Sequence, residues 1–159
     1  MIKVGDTIPS MKLMTATVEG PKETSTDEVF GGKKVVIFAV PGAFTPTCSA
    51  RHLPGYLQNL EALRDKGVET VACMAVNDGF VMSAWARDQG VDGQILMLAD
   101  GNGSFTKALG LELDLTARGL GIRSQRFAMT VDDKVVSSLA IEPPGGFEVS
   151  KAESVLSSL

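Results

Sequence analysis

The run Val35-Val36-Ile37-Phe38-Ala39-Val40 is apolar throughout and mostly β-branched, and it stops abruptly at Pro41-Gly42. A strand with one wet face alternates apolar and polar residues. This run offers water neither face, so it predicts a strand covered on both sides, as in α/β sheets. Gly31-Gly32-Lys33-Lys34 is the turn that feeds it. Downstream, Leu53, Tyr56, Leu57, Leu60 and Leu63 recur at spacings of three and four and predict a helix that stops at Lys66-Gly67. Pro54 lies inside that pattern and is expected to kink the helix or break its hydrogen bonds locally.

The alternation continues. Val68 to Val76 predicts a second buried strand, ending at Asn77-Asp78-Gly79, and Phe80 to Gln89 a second helix closed by Gly90. Ile95 to Ala99 predicts a third strand and Ser104 to Leu109 a short helix. This order implies right-handed crossovers and a largely parallel core. Arg126 to Val131 and Lys134 to Ile141 then read as a hairpin joined at Asp132-Asp133. Pro143-Pro144-Gly145-Gly146 breaks the chain before a last amphipathic helix, Ser150 to Leu159, and Lys12 to Val18 forms a β-rich N-terminal extension. The order is similar to that of thioredoxin-like folds: α/β, with a central mixed sheet flanked by helices. The whole chain, 1–159, is expected to form one domain.

Composition narrows the chemistry. A formal net charge of −4 leaves no basic excess for nucleic acid. Two cysteines, Cys48 and Cys73, are too few for a disulfide scaffold or an all-cysteine metal site, and the single histidine, His52, excludes His-rich ones. The N-terminus meets polar residues at once, and the longest near-apolar run, Val35 to Pro46, is far short of the roughly 20 residues of a membrane helix. The expectation is a soluble cytoplasmic protein, free of membrane, with two unbridged thiols.

Cys48 has the informative setting. The segment Pro41 to Cys48 lies between the end of a buried strand and the start of a helix, where open α/β sheets bind ligands. Thr45 or Thr47 can cap that helix, which places Cys48 in its first turn, near the positive end of the helix dipole. A cysteine of ordinary pKa ~8.5 is only about 3% thiolate at pH 7. Reaching roughly 90% thiolate takes about 3.4 kcal/mol of preferential stabilisation. A helix end supplies about 0.3 to 1 kcal/mol, so a cation must fold back onto the site.

Pro41-Xaa3-Thr45-Xaa2-Cys48 resembles the active-site signature of peroxiredoxins. The fuller string Val40 to Ser49, followed by His52-Leu53-Pro54-Gly55, is similar to the peroxiredoxin-5-like subfamily, as are Val4-Gly5-Asp6, Ala75-Val76-Asn77-Asp78 and Arg126-Phe127-Ala128-Met129. The resemblance implies a thiol-dependent peroxidase in which Cys48 attacks peroxide and becomes a sulfenic acid. It implies that Arg126 is the required cation, that the Thr45 hydroxyl hydrogen-bonds the peroxide, that backbone N–H groups near Cys48 stabilise developing charge, and that Pro41 shields the thiolate. Gly42, Phe44 and Leu120 are expected along the peroxide's approach. No metal and no bound organic cofactor is implied.

Cys73 sits in Val71-Ala72-Cys73-Met74-Ala75-Val76 and reads as a buried structural thiol. In relatives that form an internal disulfide the resolving cysteine lies near the C-terminus, and the matching segment here, Gly145 to Ser150, has none. That implies a one-cysteine cycle closed by an external thiol: glutathione, alone or with glutaredoxin, or thioredoxin. His52, four residues after Cys48, suggests a Cys-His dyad by spacing, while the resemblance makes it a supporting residue. A homodimer packed near the active-site loops is also implied. Two rivals remain. A thiol–disulfide oxidoreductase needs Cys-Xaa2-Cys, and Cys48 is followed by Ser49-Ala50-Arg51. A redox sensor or holdase would use oxidation of Cys48 to switch a partner.

Overall fold

In the computed structural model, which describes all 159 residues, the strands are β1 (Lys12–Thr17), β2 (Gly20–Ser25), β3 (Lys34–Ala39), β4 (Thr70–Ala75), β5 (Leu96–Ala99), β6 (Glu112–Leu115), β7 (Gly121–Ser124), β8 (Phe127–Asp132) and β9 (Val135–Ile141). The helices are α1 (Thr26–Phe30), α2 (Leu53–Gln58), α3 (Leu60–Asp65), α4 (Gly79–Gln89), α5 (Ser104–Leu109) and α6 (Ala152–Ser158). Seven strands form one sheet in the order β2-β1-β5-β4-β3-β8-β9, and β6 with β7 forms a separate ribbon. The central β5, β4 and β3 run parallel. The outer strands pair antiparallel, so the sheet is mixed. This is the expected α/β, thioredoxin-like architecture.

The opening run behaves as its composition requires. Val36, Phe38 and Val40 pack into one cluster with Tyr56, Leu63, Trp85 and Val155, from α2, α3, α4 and α6. Val35, Ile37 and Ala39 pack into the opposite cluster with Phe30, Phe105 and Phe127. Neither side of β3 meets solvent because helices cover both.

Several elements depart from the sequence reading. The polar strand β2 carries no periodic apolar signal and pairs with β1 at the sheet edge. The ribbon β6–β7 and the short α1 were likewise not expected. The hairpin turn is Asp133-Lys134, one residue later than the sequence suggested. Both residues have positive φ, 45° and 69°, the two-residue loop whose twist matches that of the flanking strands. Lys134 then reaches the carboxylate of Asp27 and the Ser10 hydroxyl.

The helix expected over Leu53 to Leu63 breaks at Asn59, whose N–H donates to Tyr56 O. Its N-terminal side widens as Pro54 demands. With no N–H on Pro54, the Ala50 carbonyl has no regular α-helical donor, and Cys48–His52 form a π turn in which Leu53 N–H donates to Cys48 O.

α5 has no side chain at its N-cap, because Gly103 stands there. Asp100, at the end of β5 and 7% exposed, caps it from outside. One oxygen accepts from Phe105 N–H, and the other from Thr106 N–H and the Thr106 hydroxyl. Asp100→Ala strands these donors beside the core, and urea unfolding is expected to show a loss of about 2–4 kcal/mol. A loss below about 1 kcal/mol would mean that α5 is held by the packing of Phe105 and Leu109 alone.

Candidate active site

The chain leaves β3 at Ala39 and enters the π turn within nine residues. Residues 46 and 47 are already helical, so Thr45 is the last residue before the helix and Pro46 its first. Cys48 is therefore in the first turn, as expected. The capping expectation fails, however. Thr47 makes no side-chain cap, and the Thr45 hydroxyl donates to Gly42 O at 2.7 Å, closing the loop onto itself. The N–H groups of Thr47 and Cys48 consequently donate to no protein acceptor.

Arg126, immediately before β8, supplies the cation. Its guanidinium donates to Cys48 Sγ at 3.1 Å and to His52 Nδ1 at 2.7 Å. Arginine has no acceptor, so His52 Nδ1 must be the unprotonated nitrogen. Nε2 then carries the proton and donates to Ser150 O at 3.1 Å. Burial, and then the Arg126 charge, lower the His52 pKa to about 3. The lone pair of His52 is occupied and its N–H is engaged with a carbonyl. A Cys-His dyad is thus not what the structure builds: His52 braces Arg126.

Aromatic rings enclose His52. Phe38 and Phe147 lie 4.9 and 5.0 Å from it, centroid to centroid, and Tyr56 at 5.6 Å. The Tyr56 hydroxyl donates to the same Ser150 carbonyl at 2.7 Å. Further side chains hold the loop. Asn77 Oδ1 accepts from Ala43 N–H, Trp85 Nε1–H donates to Ser49 Oγ, and Arg123 donates to Pro41 O at 3.3 Å. A Cβ on Gly42 would lie 2.8 Å from Arg123 Nη1, so a side chain there would displace the guanidinium from Pro41 O. Asn77 belongs to the segment Ala75 to Asp78 that carried the resemblance, whereas Ser150, Phe147 and Arg123 carry no motif of their own and only the fold brings them here.

A cleft of about 480 Å³ opens beside these groups. Pro41, Thr45 and Arg126 line it together with Leu120, Leu113 and Leu115 of the ribbon region and the turn Pro143–Gly146. Leu120 thus lies where the sequence placed it. Phe44 does not line the cleft: its φ is 65°, it is about half exposed, and its ring faces Trp85 at 6.5 Å. Cys73 lies in the interior of β4, paired with Phe38 of β3, in the same apolar cluster as Cys48. Burial, and then the charge of Cys48, push its thiol pKa well up. Both cysteines are free.

Comparison with known proteins agrees with this geometry. The Redoxin family model matches residues 3–156. The chain is 48% identical to peroxiredoxin-2C of Oryza sativa subsp. japonica over 159 residues, covering 99% of this chain and 98% of that protein. Among solved structures, reduced Prx3 of Vibrio vulnificus in complex with hydrogen peroxide superposes with a TM-score of 0.94 at 53% identity, covering 99% of each chain. Peroxiredoxin 5 of Alvinella pompejana superposes with a TM-score of 0.88 at 39% identity, covering 99% of this chain and 97% of that one. A thiol held by an arginine at the head of a helix, on this sheet and among these relatives, makes the chain a member of the peroxiredoxin family, the thiol peroxidases.

Proposed function

We propose that the chain reduces hydrogen peroxide and alkyl hydroperoxides through Cys48, and that an external thiol, glutathione alone or with glutaredoxin, or thioredoxin, restores it. The observation that carries this reading is the 3.1 Å bond from Arg126 to Cys48 Sγ. A peroxide entering the cleft meets Pro41, Thr45 and Arg126. The Thr45 hydroxyl has spent its proton on Gly42 O, so its oxygen accepts the O–H of the terminal peroxide oxygen and holds that oxygen toward sulfur. The thiolate attacks that oxygen and the O–O bond breaks. The departing hydroxide or alkoxide takes a proton and leaves as water or alcohol, and sulfur becomes a sulfenic acid. The free N–H groups of Thr47 and Cys48 and the Arg126 guanidinium stabilise the charge that builds in this step. No metal or bound organic cofactor is required.

The cysteine positions support recycling by an external thiol. One thiol displaces water from the sulfenic acid to give a mixed disulfide, and a second thiol exchanges to release Cys48. Cys73 lies in a strand interior with its thiol held protonated by burial, and Ser150 stands in the C-terminal segment where a resolving cysteine would be sought. These features favour the one-cysteine, peroxiredoxin-5-like cycle in a reducing compartment such as the cytoplasm. Phe44 and Phe80 are 51% and 71% exposed, and Phe44 belongs to the catalytic loop. They favour a homodimer packed against that loop.

Cys48→Ser is expected to abolish peroxide consumption, and Cys73→Ser to keep it within about twofold. Sustained turnover with glutathione or a glutaredoxin system supports the recycling scheme. Turnover with thioredoxin only would select that reductant instead. A single round of oxidation without turnover under any thiol would make the chain a redox sensor.

Stability has a pH dependence set by His52. The folded chain keeps His52 neutral down to about pH 3, whereas the unfolded chain protonates it near 6.5. Unfolding therefore takes up a proton between these values. The contribution of His52 is complete above pH 6.5 and declines as pH falls toward 3, by at most about 1.4 kcal/mol per unit. His52 is the only histidine, so between about pH 6.5 and 5 no other side chain has its ordinary pKa in the window. Urea midpoints that stay flat across that window would contradict the neutral, Arg126-bonded His52.

A further inference from the structure

Glu142 follows β9 directly, beside the last pair of the β8–β9 hairpin, and is 5% exposed. Its carboxylate forms no ion pair within the chain. Instead three donors converge on one oxygen, Oε2: Glu148 N–H at 2.7 Å, Ser150 N–H at 2.8 Å and the Ser150 hydroxyl at 2.7 Å. The other oxygen, Oε1, has no partner. Its backbone N–H donates to Arg126 O at 2.9 Å. One residue therefore grips the main chain of Arg126 and, through its side chain, the main chain of Ser150.

Ser150 is the far end of the bracing that reaches Cys48. Its carbonyl accepts from His52 Nε2–H and from Tyr56, and that bond leaves His52 Nδ1 as the acceptor for Arg126. The preceding segment, Pro143-Pro144-Gly145-Gly146, belongs to no strand, and its only backbone bond is the local one from Gly146 N–H to Pro143 O. Glu142 Oε2 thus holds Ser150 from the hairpin side, by its N–H and hydroxyl, while Tyr56 holds its carbonyl from the helix side. If that carbonyl withdraws, the buried His52 N–H loses its acceptor, and the other tautomer would point an N–H at the guanidinium. Arg126 would then lose its lateral acceptor and swing from the sulfur.

We infer that Glu142 is a positioning residue for the peroxidase reaction: through Ser150 and His52 it aims the Arg126 guanidinium at Cys48. This rests on the reading of Cys48 as the reacting thiol. The contribution is directional, because the donors use one oxygen and the position of Oε1 is unopposed. A glutamine can accept with its amide oxygen where Oε2 stands and leave its NH2 where Oε1 faces no donor.

The test uses the full-length protein and measures the pH profiles of peroxide reduction and of Cys48 alkylation. E142A is expected to lower the peroxide rate roughly tenfold at pH 7 and to move both profiles toward higher pH by about one unit. E142Q is expected to recover to within about threefold of the wild type. In an H52Q background E142A should add little, since the two lie on one route. A purely structural Glu142 would lower the unfolding midpoint and leave the profiles in place, and that result overturns the inference. So would an E142Q as impaired as E142A, which would make charge rather than direction the contribution, or additive losses with H52Q. If E142A does not fold, E142D decides: it keeps the charge but falls one methylene short of Ser150, and unmoved profiles would falsify the inference. Peroxide consumption surviving in Cys48→Ser would instead overturn the underlying assignment of the thiol.

Discussion

A guanidinium can only donate hydrogen bonds, and the site is organised around that restriction. Arg126 divides its donors between a sulfur and an imidazole nitrogen, so both recipients must present lone pairs. A protonated His52 would be a donor facing a donor and a cation facing a cation. The structure prevents this with burial, enclosing the ring among Phe38, Tyr56 and Phe147 and giving its remaining N–H to a main-chain carbonyl. The thiol thus receives a cation whose direction is fixed from behind, and the histidine surrenders any chance of acting as a base.

The two cysteines show how little the residue type decides. Both lie in one apolar cluster and both are wholly buried. Cys48 sits where a helix begins with unpaired N–H groups and where Arg126 ends. Cys73 sits in mid-strand between β3 and β5, where the Arg126 charge offsets only a small part of the cost of burying a thiolate. Position on the sheet separates a thiol fit for chemistry from one that packs as a small hydrophobe.

What could be read from the chain follows from how far each signal travels. The doubly buried strand, the helix at Phe80 to Gln89 and the loop before Cys48 are local patterns, and they appear in the structure within a residue or two. The effect of Pro54 was also local, although its form as a π turn was not foreseeable from composition. Arg126 was accessible by electrostatic need and by resemblance to a family. Ser150 and Phe147 were not, since each meets His52 from more than ninety residues away with no periodicity to mark it, and Glu142 reaches the imidazole only through Ser150. Phe44 was misplaced for a related reason: its positive φ turns the ring out of the cleft, and sequence order alone carries no sign of φ. The polar β2 escaped notice because an edge strand need not alternate.

Arg123 joins two parts of the molecule that otherwise have separate tasks. Its Nε–H donates to Leu120 O, at the rim of the cleft, and its Nη1 to Pro41 O, in the loop that leads to Cys48. A ribbon outside the main sheet is thereby leashed to the reactive loop. One side chain therefore spans from the rim at Leu120 to the strand-to-helix loop at Pro41, so the wall of the cleft and the support of the sulfur share a single tether.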